Sequence, residues 1–589
     1  MKSFTYSKNK NKKLFNSMKN KMDIEEVQNY IPIYDVYFNL NEKNCNSINL
    51  NNDTILKQIG EKIDYNNYNC LVEYNNKIIR KNVFFKFSPL LDPAKFMVDK
   101  YKKSYNLFSL PSISKDEKIH PKVHDSNNSA YVDGFFYHLS SQLLSNYNMI
   151  NCNNFYGSYV GIKNSFNYNI VDDLEQLVEN EQFFNNKDKL FNVDSDVIDF
   201  SPYYNQTRKF KNRLNIDSSF NTNIVELSDI CDLSYLDVVF KNNTEQVSTN
   251  YEVDVLFEYD LSNCVNNENK NEDSNSRCSS RTSETSNSDE VSSCDTECEE
   301  IEITGEVIET TDDNIIDDAS DSNENNNQED SDEETDDEEE IEEIIATIHK
   351  FPVHIISMEK YENTMDSLIM DNMLREKEWE TMILQILFTL ITYQKCYSFT
   401  HNDLHTNNVM YNSTKQKYIY YKYQNNIYKV PTYGKVFKII DFGRSIYKFR
   451  GETICSDSFH PKGDAATQYN FEPYFNNKKP RLEPNKSFDL CRLGCSLYNY
   501  IDNLSEKEND IYDVMLKWCL DDKERNVLYK SNGEERYPDF KLYKMIVRTV
   551  HNHIPSEVIK NKVFEKYIYT GKIPISANIM NIDELPCFV

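Results

Sequence analysis

Between residues 268 and 343 the chain carries 31 acidic residues against 3 basic ones. That stretch accounts for 28 of the 30 excess negative charges in all 589 residues. Rich also in Ser and Asn, it lacks the apolar side chains whose burial offsets the entropy of ordering a backbone. Residues 264–345 are therefore expected to be disordered, and any core has to be assembled from the segments on either side. The chain then divides into a basic arm (1–50), a β-rich segment (51–163), an insertion (164–348) and a hinge with a mainly helical segment (349–589). The insertion keeps periodic apolar runs, such as 224–240, up to about residue 259.

With the acidic stretch set aside, the remainder is close to neutral, which argues against a nucleic-acid-binding face. Residues 1–21 are basic but have no apolar centre, so no secretory signal is expected. The most apolar run, 382–393, is too short to span a bilayer and contains Gln385, so no membrane partner is expected. The 14 cysteines include no C-x-x-C pair. Cys294 with Cys298, and Cys491 with Cys495, have no further ligands at zinc spacing. Free thiols fit a reducing, cytoplasmic setting. The arm is expected to be solvated, and 30–40 reads as a strand.

Trp379, Met382, Ile383, Ile386, Leu387, Leu390 and Ile391 recur at helical spacing, which predicts a buried helix. It runs into His401-Asn402-Asp403-Leu404-His405-Thr406-Asn407-Asn408. Downstream, Lys438-Ile439-Ile440-Asp441-Phe442-Gly443 reads as an apolar strand ending in an acid. Phosphoryl transfer asks for such parts: one acid beside the attacking hydroxyl, and two oxygen ligands for magnesium on the nucleotide phosphates. Between the two motifs, 417–423 and 427–430 read as a hairpin.

These residues resemble the protein kinase superfamily, whose catalytic loop reads H-x-D-L-x-x-x-N and whose metal-binding motif is D-F-G. The resemblance implies an α+β, bilobal, protein-kinase-like fold: a small β-rich lobe carrying the long insertion, and a large mainly helical lobe. It also implies ATP and Mg2+ as cofactors. Asp403 would accept or orient the acceptor hydroxyl's proton, and Asn408 and Asp441 would hold the metal. His405 stands where a phosphate-neutralising lysine is usual, and its imidazole can still donate a hydrogen bond. Asn402 replaces an arginine that usually contacts an activation-loop phosphate, so phosphate-gated activation is not expected.

In the small lobe, Gly60 is the one glycine left of a phosphate-covering loop; Asp64, Asn66 and Asn67 stand where others are expected. Lys86, in Val83-Phe84-Phe85-Lys86-Phe87, resembles the phosphate-binding lysine, although strand alternation also allows it to face solvent. A helix is predicted near 130–146, and it holds no glutamate to pair with that lysine. Its one acid is Asp133; an acid from elsewhere is the other option. A strand is expected at 154–162 and a hinge strand at 353–361. There, backbone groups of Glu359 and Tyr361 would bond adenine, with Met358 behind them. Asp489 resembles the aspartate that holds the catalytic-loop backbone. Arg525 resembles an arginine that pairs with an A-P-E glutamate, a role left to Glu472 or Glu483.

The expected function is transfer of the ATP γ-phosphoryl group to a serine or threonine of a protein substrate. Two alternatives stand beside it: a pseudokinase scaffold recruiting partners through the acidic insertion, and a choline- or aminoglycoside-type small-molecule phosphotransferase. The acidic insertion suits basic partners, and Ser279, Ser283 and Ser288 within it suit phosphorylation. Heavy use of Tyr, Asn, Lys and Ile with only 12 Gly fits an AT-rich genome such as those of giant DNA viruses, and then a host-cytoplasm or virion location.

Overall fold

The computed structural model describes residues 4–193, 277–278, 344–371, 374–502, 510–575 and 577–589. The disorder expected over most of 264–345, the apolar run 224–240 and the candidate serines lie outside the described residues. The protein is mixed α+β, with a curled sheet and a group of helices. Among the described residues no helix is long and apolar enough to cross a membrane.

The first elements come from the basic arm, which is packed and not solvated. Helix α1 (Lys12–Met22) buries Leu14, Met18 and Met22 on one face. Strand β1 (Ile24–Gln28) then joins the main sheet. The strand expected at 30–40 is instead a 3-10 turn over Pro32–Val36. Pro32 at its start lacks the amide a ladder needs and has a φ that suits a helical turn.

The main sheet continues with β2 (Thr54–Gln58), β3 (Asn67–Tyr74) and β4 (Lys77–Pro89). Helix α2 (Ser129–Tyr147) follows, then β5 (Phe155–Asn169) and β6 (Ile345–Glu359). The strand order is β5-β6-β4-β3-β2, antiparallel throughout, with β1 on β5. Register shifts at Ser357/Met358 and Leu56/Gln58 mark bulges, which bend strands and increase twist. Nearly every residue of α2 from Ala130 to Ser141 is buried, so it is a core helix rather than a one-faced one. Gly134 lets it lie close to β6: a Cβ there would meet His354 Cε1 at 2.2 Å.

The buried stripe forms α3 (Glu376–Tyr397), closed by Ser398 in the left-handed region at φ 49°. Two short paired strands follow the candidate loop, β7 (Val409–Ser413) and β8 (Lys435–Ile439). The predicted hairpin, Tyr418–Tyr423 with Asn426–Pro431, packs on α3 through Tyr421 stacked on Phe388 at 4.2 Å. Helix α4 (Phe488–Asp502) and helix α5 (Lys541–Thr549) share a core with the segment after Asp441, including Phe459, Tyr469, Phe488, Ile546 and Val547.

Aromatic rings join the two halves. Phe136 of α2 lies 4.3 Å from Phe399, 4.6 Å from Phe442 and 4.9 Å from Tyr447. Polar ties reinforce them: Asn153 Nδ2 donates to the Ile439 carbonyl and Asn151 Nδ2 to that of Phe437.

Candidate active site

The loop after α3 is built on its backbone. Asn402 sits at φ 65°, a region asparagine tolerates better than most residues. Its side chain donates to the Arg444 carbonyl at 3.0 Å and accepts from Tyr469 Oη at 2.6 Å. The residue that replaces the usual arginine is thus a buried structural tie. Asp489 of α4 accepts from the amides of His401 and Asn402 at 2.9–3.0 Å, the placement the resemblance implies. His401 bonds the Ile440 carbonyl at 2.8 Å and locks the loop to the strand before Asp441.

Asn408 turns its Nδ2 to the Asp403 carbonyl at 2.9 Å, with His405 Nε2 3.0 Å away. The Ile440 amide donates to the Asn408 carbonyl, and Val409 pairs with Ile439, so Asp441 emerges beside Asn408. Asp441 is also in the left-handed region, at φ 62°. Its amide donates to Tyr137 Oη at 3.1 Å, and the next amide, of Phe442, donates to Asp133 Oδ1 at 2.7 Å.

Lys86 meets this cluster from β4. Its Nζ lies 2.8 Å from Asp133 Oδ2 and 2.8 Å from Asp441 Oδ1. With 12% of its side chain exposed, it faces the interior and not solvent. Burial would pull its proton off; Asp133 and then Asp441 more than compensate, so its pKa is raised well above the ordinary lysine value. Asp133, one residue before Gly134 on the buried helix, is the acid that pairs with Lys86.

Asp403 is held differently. Oδ1 accepts from Tyr543 Oη of α5 at 2.9 Å, and Oδ2 is 4.0 Å from Arg444. Arg444 is itself 2.5 Å from Asp464. Arg492 Nε donates to Tyr543 Oη at 2.8 Å. Burial opposes the charge on Asp403, but Arg444, His405 and Arg492 outweigh it and hold the carboxyl well below the usual range. It is an ionised hydrogen-bond acceptor at any physiological pH. Tyr543, Arg444 and Arg492 carry no sequence pattern of their own and were not singled out by sequence reasoning.

The other expected site residues are placed less simply. Gly60 lies against the backbone of β3; a Cβ there would be 1.9 Å from the Asn69 carbonyl oxygen, so packing alone requires its glycine. In the adjoining turn, Asp64 accepts from Asn67 Nδ2 and meets Lys360 at 3.2 Å, so polar side chains close it. Glu359 donates its amide to the Asn154 carbonyl. Its carboxylate is buried against Lys438 at 2.6 Å and also accepts from the Asn154 amide and Asn412. The Tyr361 hydroxyl is bonded to Asn153, inside the protein. Arg525 pairs with Asp521 of its own turn, while Glu472 and Glu483 both hold Arg481.

The donor set fits the implied group. A carboxylate and an amide oxygen are hard ligands, and magnesium needs one or two such protein ligands beside phosphates and water. Among the described residues no group of three His, Cys, Asp or Glu side chains is placed to enclose a metal. Lys86 adds a fixed cation where phosphates would lie. No protein-family model matches this chain, and no curated protein matches it.

Proposed function

We propose that this chain is an ATP-dependent protein kinase with a bilobal kinase-like fold, moving the γ-phosphoryl group to a serine or threonine hydroxyl. The observation that carries the reading is Lys86 between Asp133 and Asp441, with Asn408 bonded to Asp403 next door. Residues from four separate segments, β4, α2, the loop after α3 and the turn after β8, supply the charge pattern that a metal-bound triphosphate requires.

Bound magnesium would neutralise phosphate charge and orient the group that transfers. Asn408 and Asp441 would hold it. Lys86 would exchange Asp441 for phosphate oxygens, with Asp133 keeping its direction. Asp403, ionised and clamped by Tyr543, accepts a hydrogen bond from the acceptor hydroxyl and aims its oxygen. Positioning and charge supply the rate.

The test is a thermal shift with Mg-ATP together with γ-phosphoryl labelling of the full-length protein and of protein substrates. Labelling lost in Asp403→Ala, with the Mg-ATP shift retained, supports the reading. A shift without labelling in the natural protein points to the scaffold alternative, which the packing role of Gly60 favours. Neither shift nor labelling sinks the reading.

A further inference from the structure

Cations lie on two sides of helix α5: Arg492 of α4 toward the site, and basic side chains of α5 itself on the other face. Toward the site, Tyr543 bridges Asp403 and Arg492. The Arg492 guanidinium, half-buried, has this neutral phenol as its hydrogen-bond partner and no carboxylate within 4.0 Å among the described residues. Its counter-charge is Asp403, on the far side of that phenol, and an anionic group on a bound acceptor would be drawn to the same guanidinium.

On the outer side, Lys541, Lys544 and Arg548 recur at spacings that put them on one face. Lys544 Nζ lies over the Phe540 ring at 5.3 Å, and Arg548 donates to the carbonyls of Lys544 and Thr467. Thr467 belongs to the segment between Asp441 and α4. Lys479, on the facing loop, is exposed. The Lys544 pKa is lowered, by burial first and then by Arg548 and Lys479, with no acid among the causes. Asp464 is held by Arg444, and Glu472 and Glu483 by Arg481; Asp539, just before the helix, is exposed.

We propose, resting on the phosphotransfer reading, that this face selects an acidic acceptor: a serine or threonine flanked by carboxylates. Arg492 meets the charge beside the acceptor hydroxyl; Lys479, Lys544 and Arg548 meet those farther along the peptide. In the transfer the acceptor oxygen bonds to the γ-phosphorus, and the bond to the bridging oxygen breaks. ADP leaves with that electron pair, and the hydroxyl proton passes to Asp403 and on to solvent.

The experiment uses the full-length protein, Mg-ATP and three peptides. One copies the chain's own Ser331-Asp332-Glu333-Glu334; the others replace the acids by Asn and Gln, or by Lys. The acidic peptide is expected to show a kcat/KM about tenfold above the neutral one, shrinking as salt is added. In the K479E/K544E/R548E variant that ratio falls to about one, while the Mg-ATP thermal shift matches the natural protein. Arg492→Gln raises KM for the acidic peptide more than for the neutral one. Equal use of all three peptides, or preference for the lysine peptide, overturns the inference and leaves phosphotransfer standing. No labelling of any peptide and no Mg-ATP shift overturns both.

Discussion

Two buried lysine–carboxylate pairs lie at the joint between the sheet and the helices, and they are built for different purposes. Lys438 and Glu359 are 4% and 8% exposed, 2.6 Å apart, and Glu359's oxygens are further met by Asn154 and Asn412. Nothing is left for a ligand. Lys86 instead faces two carboxylates, and one of them, Asp441, is 30% exposed. A sealed pair with matched acceptors fixes structure. A cation shared between a buried and an open carboxylate is set to exchange the open one for another anion.

The largest expected effect breaks the sealed pair. Lys438→Met leaves Glu359 buried without its counter-charge and is expected to cost about 3–5 kcal/mol in denaturant-measured stability. Adding Glu359→Gln should recover much of that. A single variant as stable as the natural protein would mean that water reaches this pair. At the open pair, Lys86→Met is expected to lower kcat/KM about 100-fold, near 2.7 kcal/mol. Its stability should fall too, because Asp133, 2% exposed, loses its counter-charge and keeps only the Phe442 amide, while Asp441 opens to water.

Acid sharpens the comparison from the α2 side. His354 and His138 are buried, and burial lowers both pKa values to about 3. Between that value and the roughly 6.5 of an unfolded histidine, the unfolded chain binds more protons. Stability therefore falls as pH drops below about 6.5, by about 1.4 kcal/mol per histidine at pH 5.5. Thermal unfolding at pH 7.5 and 5.5 measures this. His354 bonds the Ala130 carbonyl near Asp133, so the Lys86 end should loosen first in hydrogen exchange. The smallest effect is Tyr543→Phe. Losing one hydrogen bond to Asp403 is expected to cut kcat about tenfold, leaving KM for ATP unchanged. An unchanged kcat would show that Arg444 alone orients Asp403.

Much of this was legible in the sequence. The periodic apolar stripe located α3, an apolar run broken by one lysine located β4, and Asp133 stood out as the one acid on a predicted helix. Residues 4–50 misled because their charge is real but lies on one side: Leu14, Met18 and Met22 recur at helical spacing inside a lysine-rich run. Arg525 misled because a partner within its own turn, Asp521, is entropically easier to reach than a distant glutamate.

Local order determined which elements form and which side chains have the chemistry for a phosphate cleft, because periodicity, caps and short motifs act within a few turns of chain. Long-range packing alone decided that Lys438 is sealed while Lys86 is open, and that Tyr543, Arg444 and Arg492 surround Asp403. Those contacts join residues separated by tens to hundreds of positions. Burial, which sets the strength of every charge among them, exists only once the chain has folded.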